Sequence, residues 1–307
     1  YDQFAADFIT QATKDSKPFF FYFASHHTHA PQFVSPLADP NTLRGLFGDS
    51  LFMLDRSVGR LMDLLDTLGI ANSTLLIFSA DNPGSLHWGE LGGVNGDLRC
   101  GKGTTYEGGH RVPTLMRLPG RIPAGIPIQH MTSTLDIVPT LASLTGFTLP
   151  TDRAFDGVDV SPTLFDNHPV RNEFFYHTVN DVDAPGLLMA VRQGPYKLHF
   201  FTSGWGGGSY PDPACIAAAA NVSAANMLYN VESDPGEKQV LTASSREFNA
   251  THTFDSVVAS LRTLADNHIA TFAVAPSLIH GTSPDRFPCC SPGCTPLPHC
   301  CSCNATL

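Results

Sequence analysis

An apolar run that stops abruptly on two oxygen-bearing side chains constrains this chain more than any other feature. Leu75-Leu76-Ile77-Phe78-Ser79-Ala80 leads straight into Asp81-Asn82. A short apolar run without helical spacing reads as a buried strand, which needs a layered fold to cover it. Open α/β sheets bind ligands beyond the carboxyl ends of their strands, and Asp81 and Asn82 stand there. A carboxylate and an amide oxygen are hard ligands, suited to Ca²⁺ or Mg²⁺ rather than Zn²⁺. Two ligands do not complete a Ca²⁺ site, and an Asx-turn closing the strand would use the same residues.

Further on comes Cys100-Gly101-Lys102-Gly103-Thr104-Thr105-Tyr106-Glu107-Gly108-Gly109-His110-Arg111. Lys102 sits between two glycines, so backbone can approach a ligand closely. Its ammonium is a compact charge for a sulfate or phosphate oxygen; the plainer reading is a solvated surface lysine. The Glu107–Arg111 segment can equally turn the chain into its next strand, with Arg111 pairing Glu107 or another acid. An earlier apolar run, Phe19 to Ala24, ends in Ser25-His26-His27-Thr28-His29. Histidines at a strand end can bind a metal, hydrogen-bond beneath a site, or lie in a polar loop.

The first half alternates strands and helices. Phe19–Ala24, Thr74–Ala80 and Val112–Leu118 read as strands. Asp49 or Ser50 is placed to cap a helix whose apolar positions are Leu51, Leu54, Val58, Leu61, Met62, Leu65 and Leu68, with Gly69 as its stop. A second helix is expected over Asp136–Leu144, ended by Gly146, with Pro139 tolerable in its first turn. This order predicts an α/β fold, a mostly parallel sheet flanked by helices. After about residue 165 the texture changes to short strands at 174–176, 187–191, 196–201 and 227–229, with turns at 193–195 and 234–236. An amphipathic helix follows, carrying Val257, Val258, Leu261, Leu264 and Ile269. The expected division is a catalytic-type domain over 1–165 and a smaller α+β domain with an antiparallel sheet over 166–307. The final helix could pack on the domain or form a pH-dependent contact, and the first is favoured; a homo-oligomer is possible.

The chain has 307 residues and a formal net charge of −10, which argues against nucleic acid or an anionic membrane as partner. No apolar run is long enough to predict a transmembrane helix. Protonating all 13 histidines would move the charge from −10 to +3, a weak pointer to an acidic compartment. The cysteines say more. Cys289, Cys290, Cys294, Cys300, Cys301 and Cys303 crowd a Pro/Gly-rich tail over 289–303, leaving Cys100 and Cys215 elsewhere. An even, dense, turn-rich set reads as disulfides from an oxidising compartment; the spacing is wrong for a zinc ribbon. Sequons at Asn72, Asn221, Asn249 and Asn304 point the same way. The expected location is the secretory pathway, lysosomal or extracellular. The chain begins at Tyr1, and the expectation is a mature form or a fragment.

Several of these stretches together resemble the sulfatase family, of the arylsulfatase A type, in the alkaline-phosphatase-like superfamily. They are Ser25-His26-His27-Thr28-His29-Ala30-Pro31-Gln32-Phe33, Phe78–Asn82, Cys100–Gly109, and Leu228-Tyr229-Asn230 followed by Asp234-Pro235-Gly236-Glu237. The cysteine tail belongs to the same likeness. The resemblance implies a sulfuric ester hydrolase acting on sulfated sugars, galactolipids or aryl sulfates. It implies that Asp81 and Asn82 are Ca²⁺ ligands and that Lys102 and His29 contact the sulfate, His29 also protonating the leaving alcohol as general acid. It implies a Cys100–Cys215 disulfide and the tail pairings Cys289–Cys301, Cys290–Cys303 and Cys294–Cys300; six cysteines alone allow about fifteen connectivities.

The likeness also shows departures. The family's nucleophile is a formylglycine made from the cysteine of a Cys-x-Pro-Ser-Arg segment, and no cysteine here is followed by one. A strand ending in paired aspartates and a further Gly-Lys segment are absent too. The chain therefore reads as the C-terminal part of a longer sulfatase, without turnover on its own. Pro83 follows Asn82 where the family usually has glycine, and biases Asn82 toward extended backbone. Two alternatives remain. One is a secreted, non-catalytic glycoprotein that binds sulfated glycans. The other is a phosphatase or phosphodiesterase of the same superfamily, against which Asn82 argues because it favours a hard cation.

Overall fold

The structure is a computed structural model that describes residues 1–35, 42–177, 187–202, 215 and 220–272. Residues Tyr1–Ile269 form one compact unit. No helix among the described residues is long and apolar enough to cross a membrane.

The first half opens with α1 (Asp2–Lys14) and α2 (Gly45–Thr67), which cover β1 (Leu76–Ser79). Ile9, Leu65 and Ala71 are buried together, with Phe19, Leu61, Leu64, Leu68 and Leu76 packed on them. The three- and four-residue apolar spacing of α2 thus does what it predicts, and Gly69 follows its end with φ +69°. The start differs from expectation. The helix begins at Gly45, so Asp49 lies inside it and its Oδ1 accepts the backbone N–H of Thr42 instead of capping.

β1 pairs antiparallel with β2 (Thr114–Arg117), Leu76 opposite Arg117 and Ser79 opposite Thr114. Every described ladder is antiparallel, so the expected parallel pairing is not formed among the described residues. A parallel partner needs a crossover, usually through a helix. The chain instead leaves the carboxyl end of β1, builds loops there, and returns from the same end. The expected strand Phe19–Ala24 forms no ladder among the described residues either. Its side chains do alternate: Phe19, Phe21 and Phe23 are half-buried, while Phe20 is 72% and Tyr22 79% exposed. The inner face meets α1 through Phe8, whose ring lies 6.2 Å from Phe19 and 5.3 Å from Phe21. The segment has strand periodicity without a described neighbour to bond its backbone.

The α3 helix (Ile137–Thr145) stops at Gly146, which takes the left-handed conformation at φ +72°. Its entry is a capping box, with Ser133 N–H donating to Asp136 Oδ2 at 2.8 Å. Asp136 also accepts Val158 N–H at 2.9 Å and pairs with Arg171. After α4 (Ser161–Asp166) come β3 (Glu173–His177), β4 (Leu188–Gln193), β5 (Tyr196–His199), and the short β6 (Phe201–Thr202) and β7 (Ala220–Asn221). β8 (Met227–Asn230) completes an antiparallel sheet in the order β3-β4-β5-β8. The turn between β4 and β5 is the expected Gly194-Pro195, Gly194 having φ +55°. α5 (Phe254–Thr271) lays Val257, Val258, Leu261 and Ala265 on Leu188, Val191, Leu198 and Leu228 of this sheet. The helix therefore packs on its own domain. Fully burying a side chain such as Leu261 contributes about 1.5–3 kcal/mol.

Candidate active site

Three loops meet beyond the carboxyl end of β1. The first carries Asp81 and Asn82. Asp81 is exposed, and its Oδ1 accepts the Asn82 N–H at 2.9 Å, so a local turn closes the strand and engages one carboxylate oxygen. Gly84 then joins this loop to the second. Its N–H donates to Asn95 Oδ1 at 2.8 Å, and its carbonyl accepts from Asn95 Nδ2 at 3.1 Å and from Lys102 N–H at 3.0 Å. Asn95 Nδ2 also donates to the Cys100 carbonyl at 2.9 Å. One amide side chain thus clamps the loop after β1 to the loop bearing Lys102. Gly101 permits the approach: a Cβ there would lie 2.4 Å from the Gly84 carbonyl oxygen.

The third loop carries His29. Gln32 Nε2 donates to the Leu91 carbonyl at 2.8 Å and to the Thr28 carbonyl at 3.2 Å. Leu91 belongs to a turn over 85–92 that Ser85 N–H closes on the Gly92 carbonyl at 2.7 Å. His29 is exposed, and its Nδ1 lies 2.6 Å from the Ala30 carbonyl. A carbonyl oxygen only accepts, so Nδ1 bears the proton and Nε2 is left to accept or, when protonated, to donate. His26 and His27 stack at 4.3 Å. Burial, and then the charge of His26, hold His27 below the usual imidazole range.

Asp81, Asn82, Lys102 and His29 are therefore stitched to one set of turns. Among the described residues no group of three or more His, Cys, Asp or Glu could hold a metal. Asp81 and Asn82 fit a hard cation by their oxygen chemistry, as part of a ligand set and not as a whole one.

Beneath the Lys102 loop lies a buried charge cluster that the sequence does not reveal. The Lys197 ammonium donates to the Thr105 carbonyl at 2.8 Å and to Glu107 Oε1 at 3.0 Å, and lies 3.3 Å from Glu237 Oε1. His199 Nε2 lies 2.7 Å from Glu237 Oε1. Arg111 Nε donates to Glu107 Oε2 at 2.6 Å, the pairing expected as the plain reading of that segment. Tyr176 OH donates to Glu107 Oε1 at 3.2 Å. Burial alone would raise the Glu107 carboxyl, but Lys197 and Arg111 outweigh it and hold it far below the usual carboxylate range. The Glu237 carboxyl is likewise held down by Lys197 and His199 against burial. Burial, and then Lys197, push His110 down to about 4. Its Nδ1 is shut from solvent with no hydrogen-bond partner among the described residues. The alternation Tyr196-Lys197-Leu198-His199-Phe200 signals one polar face, which pattern reasoning sends to solvent; the structure buries it against Glu107.

Cys100 is bonded to Cys215, with Cα atoms 5.4 Å apart, at the root of the Lys102 loop. Tyr106 and Leu86 pack on this bridge. Asn72, Asn221 and Asn249 are all exposed. Asn304 and the tail cysteines 289, 290, 294, 300, 301 and 303 lie outside the described residues.

Comparison with known proteins agrees with this architecture. The family model described as Sulfatase matches residues 1–147, and that described as the C-terminal region of aryl-sulfatase matches residues 169–303. Arylsulfatase A of Homo sapiens is 42% identical over 308 positions, covering 99% of this chain and 60% of the relative. N-acetylgalactosamine-6-sulfatase of Rattus norvegicus is 35% identical over 260 positions, covering 81% of this chain and 48% of the relative. The chain thus spans 60% or less of the length of these relatives. Among solved structures, the PsFucS1 sulfatase from Pseudoalteromonas sp. superposes with a TM-score of 0.74 at 25% identity, covering 88% of this chain and 51% of that one.

Proposed function

The chain belongs to the sulfatase family, and from that premise we propose that it supplies the cation-binding and sulfate-binding loops of a sulfuric ester hydrolase. The observation that carries this reading is the Asn95 clamp. It ties Gly84, two residues after Asn82, to the loop that carries Lys102, so the backbone bearing the hard-cation ligands and the backbone bearing the positive charge are held together. Cleavage of a sulfate ester needs charge to neutralise its oxygens and an acid for the departing alcohol. Lys102 takes the first role. His29 takes the second, since its Nδ1–H is held by the Ala30 carbonyl and Nε2 can carry the transferable proton.

Asp81 and Asn82 would hold Ca²⁺, which, when bound, neutralises sulfate charge and polarises its oxygens. The formylglycine of the family would come from sequence outside these residues, because no Cys-x-Pro-Ser-Arg segment occurs within them. The 307 residues alone are accordingly expected to bind without turning over. Substrates would be sulfated sugars, glycolipids or aryl sulfates. The compartment would be lysosomal or extracellular, consistent with the Cys100–Cys215 bridge and exposed sequons at 72, 221 and 249. The absent nucleophile segment also favours a second reading, a non-catalytic binder of sulfated glycans.

Calorimetric titration of the chain with inorganic sulfate, with and without Ca²⁺, tests the proposal. Binding that strengthens with Ca²⁺ and is lost in Lys102→Ala supports it. Unchanged binding in Lys102→Ala defeats it. Turnover of a sulfate ester by a longer protein containing these residues and a Cys-x-Pro-Ser-Arg segment decides between the hydrolase and the binder.

A further inference from the structure

The turn over 85–92 does more than tether the His29 loop. It is closed by Ser85 N–H on the Gly92 carbonyl and by Trp88 N–H on the Ser85 carbonyl at 3.0 Å. Glycine is required at its neck, since a Cβ on Gly92 would lie 1.9 Å from the Ser85 carbonyl oxygen. Gly89 adopts φ +57° and ψ −128°, a conformation that side chains resist. Leu86 anchors the turn inward on Tyr106 and the Cys100–Cys215 bridge, beside Gly101. The next two residues are His87 and Trp88, their rings 5.5 Å apart. His87 Nδ1 lies 3.0 Å from Ser85 Oγ. Trp88 is 52% exposed.

We propose that Trp88 and His87 form the platform that recognises a pyranose ring bearing the sulfate, and so set substrate specificity. The inference rests on the reading of Lys102 as the sulfate contact. A lone exposed tryptophan would be unremarkable on a protein surface. This one stands on a turn held by backbone bonds, anchored against the root of the loop that carries the sulfate-binding ammonium. An indole face covers the C–H face of a sugar ring at little entropic cost, because the turn is already fixed. The exposed Glu90 on the same turn offers hydrogen-bonding oxygens. Ring hydroxyls of a sugar can use them, and a simple aryl sulfate has none to offer. Burial, and then the positive charge of Lys102, hold the His87 imidazole below the usual range.

The chain contains two tryptophans, Trp88 and Trp205. In a Trp205→Phe background Trp88 is the single indole, and its emission reports on the platform. The chain is titrated with a sulfated methyl galactoside, with the same galactoside lacking sulfate, and with inorganic sulfate. The sulfated galactoside is expected to change Trp88 emission saturably, while inorganic sulfate competes without that change. By calorimetry, Trp88→Ala is expected to weaken the sulfated galactoside about tenfold and inorganic sulfate less than about twofold. Trp88→Phe, which keeps a ring, should retain most of the affinity. Unaltered galactoside affinity in Trp88→Ala, with sulfate still bound, overturns the platform alone. Equal weakening of both ligands also overturns it. Failure of the unmutated chain to bind inorganic sulfate overturns the sulfate-site reading and the platform with it.

Discussion

The carboxylate of Glu237 accepts the backbone N–H of Glu107 at 2.5 Å, across 130 residues of sequence. That bond joins the turn after β8 to the base of the Lys102 loop. Glu237 also meets Lys197 and His199, which stand on β5, and its own carbonyl accepts from Arg99 Nη1 at 3.2 Å. The Asp234-Pro235-Gly236-Glu237 segment is therefore the brace by which the second-half sheet holds a loop of the candidate site.

Removing the Glu237 carboxylate should cost more than its hydrogen bonds. Lys197 is fully buried and would keep only Glu107 as counter-charge, while the buried His199 Nε2 would lose its Glu237 partner. Breaking a buried ion pair from one side typically costs about 3–5 kcal/mol. Glu237→Ala is expected to lower the urea unfolding free energy by that order, and Glu237→Gln by less. A loss within about 0.5 kcal/mol, the range of an ordinary surface change, would mean the brace carries no load.

Stability should also fall with acid in a window set by His110. Its folded-state value of about 4 lies below the ordinary 6.5, depressed by burial and by Lys197. Between those values the unfolded chain binds the extra proton and the folded chain does not. Folding is therefore favoured above about pH 6.5 and progressively penalised as pH falls toward 4. From pH 7 to pH 5 the term amounts to about 2 kcal/mol. Denaturation series at both pH values should show His110→Phe losing less stability than the unmutated chain. Identical losses in the two proteins would exclude His110 as the source.

The Cys100–Cys215 bridge closes a separation of 115 residues and packs against Tyr106 and Leu86. Chain-entropy arguments put such a crosslink at about 2–5 kcal/mol. Cys100→Ser is expected to lose that much stability and to release the Lys102 loop, weakening sulfate binding as well. Denaturation with and without reductant measures the first effect and calorimetry the second. Full stability under reductant would show the bridge to be incidental.

Local patterns carried much of this architecture. The α2 spacing, the apolar run of β1, the Gly146 stop and the α5 stripe each follow from short-range rules, and each forms where those rules place it. What failed was whatever depended on a distant partner. Phe19–Ala24 keeps strand alternation but has no described neighbour, and β1 found β2 antiparallel because loops, not a helix, connect them. Asp49 satisfies Thr42 from within a helix that starts earlier than its cap-like sequence implied. Lys197 and His199 were invisible as core residues because alternation cannot tell a solvated polar face from one closed by Glu107 and Glu237. Asp81, Asn82, Lys102 and His29 are candidates by residue type and position, whereas Asn95, the residue that ties two of their loops, carries no signal beyond a short polar stretch.

Asn95 offers the sharpest test of whether loop register matters. Its Oδ1 holds the Gly84 N–H, and its Nδ2 holds the carbonyls of Gly84 and Cys100. Asn95→Ala strands these groups, at a cost of about 1–3 kcal/mol. Asn95→Asp keeps the acceptor but turns a second oxygen on two carbonyls, so it should be no milder. If the clamp sets the distance between Asp81-Asn82 and Lys102, both variants should lose sulfate affinity, and Ca²⁺ should enhance that affinity less than in the unmutated chain. Calorimetry under conditions where the variants remain folded reads both quantities. A stable Asn95→Ala chain with unaltered sulfate affinity and Ca²⁺ response would show that the two loops hold their register without it.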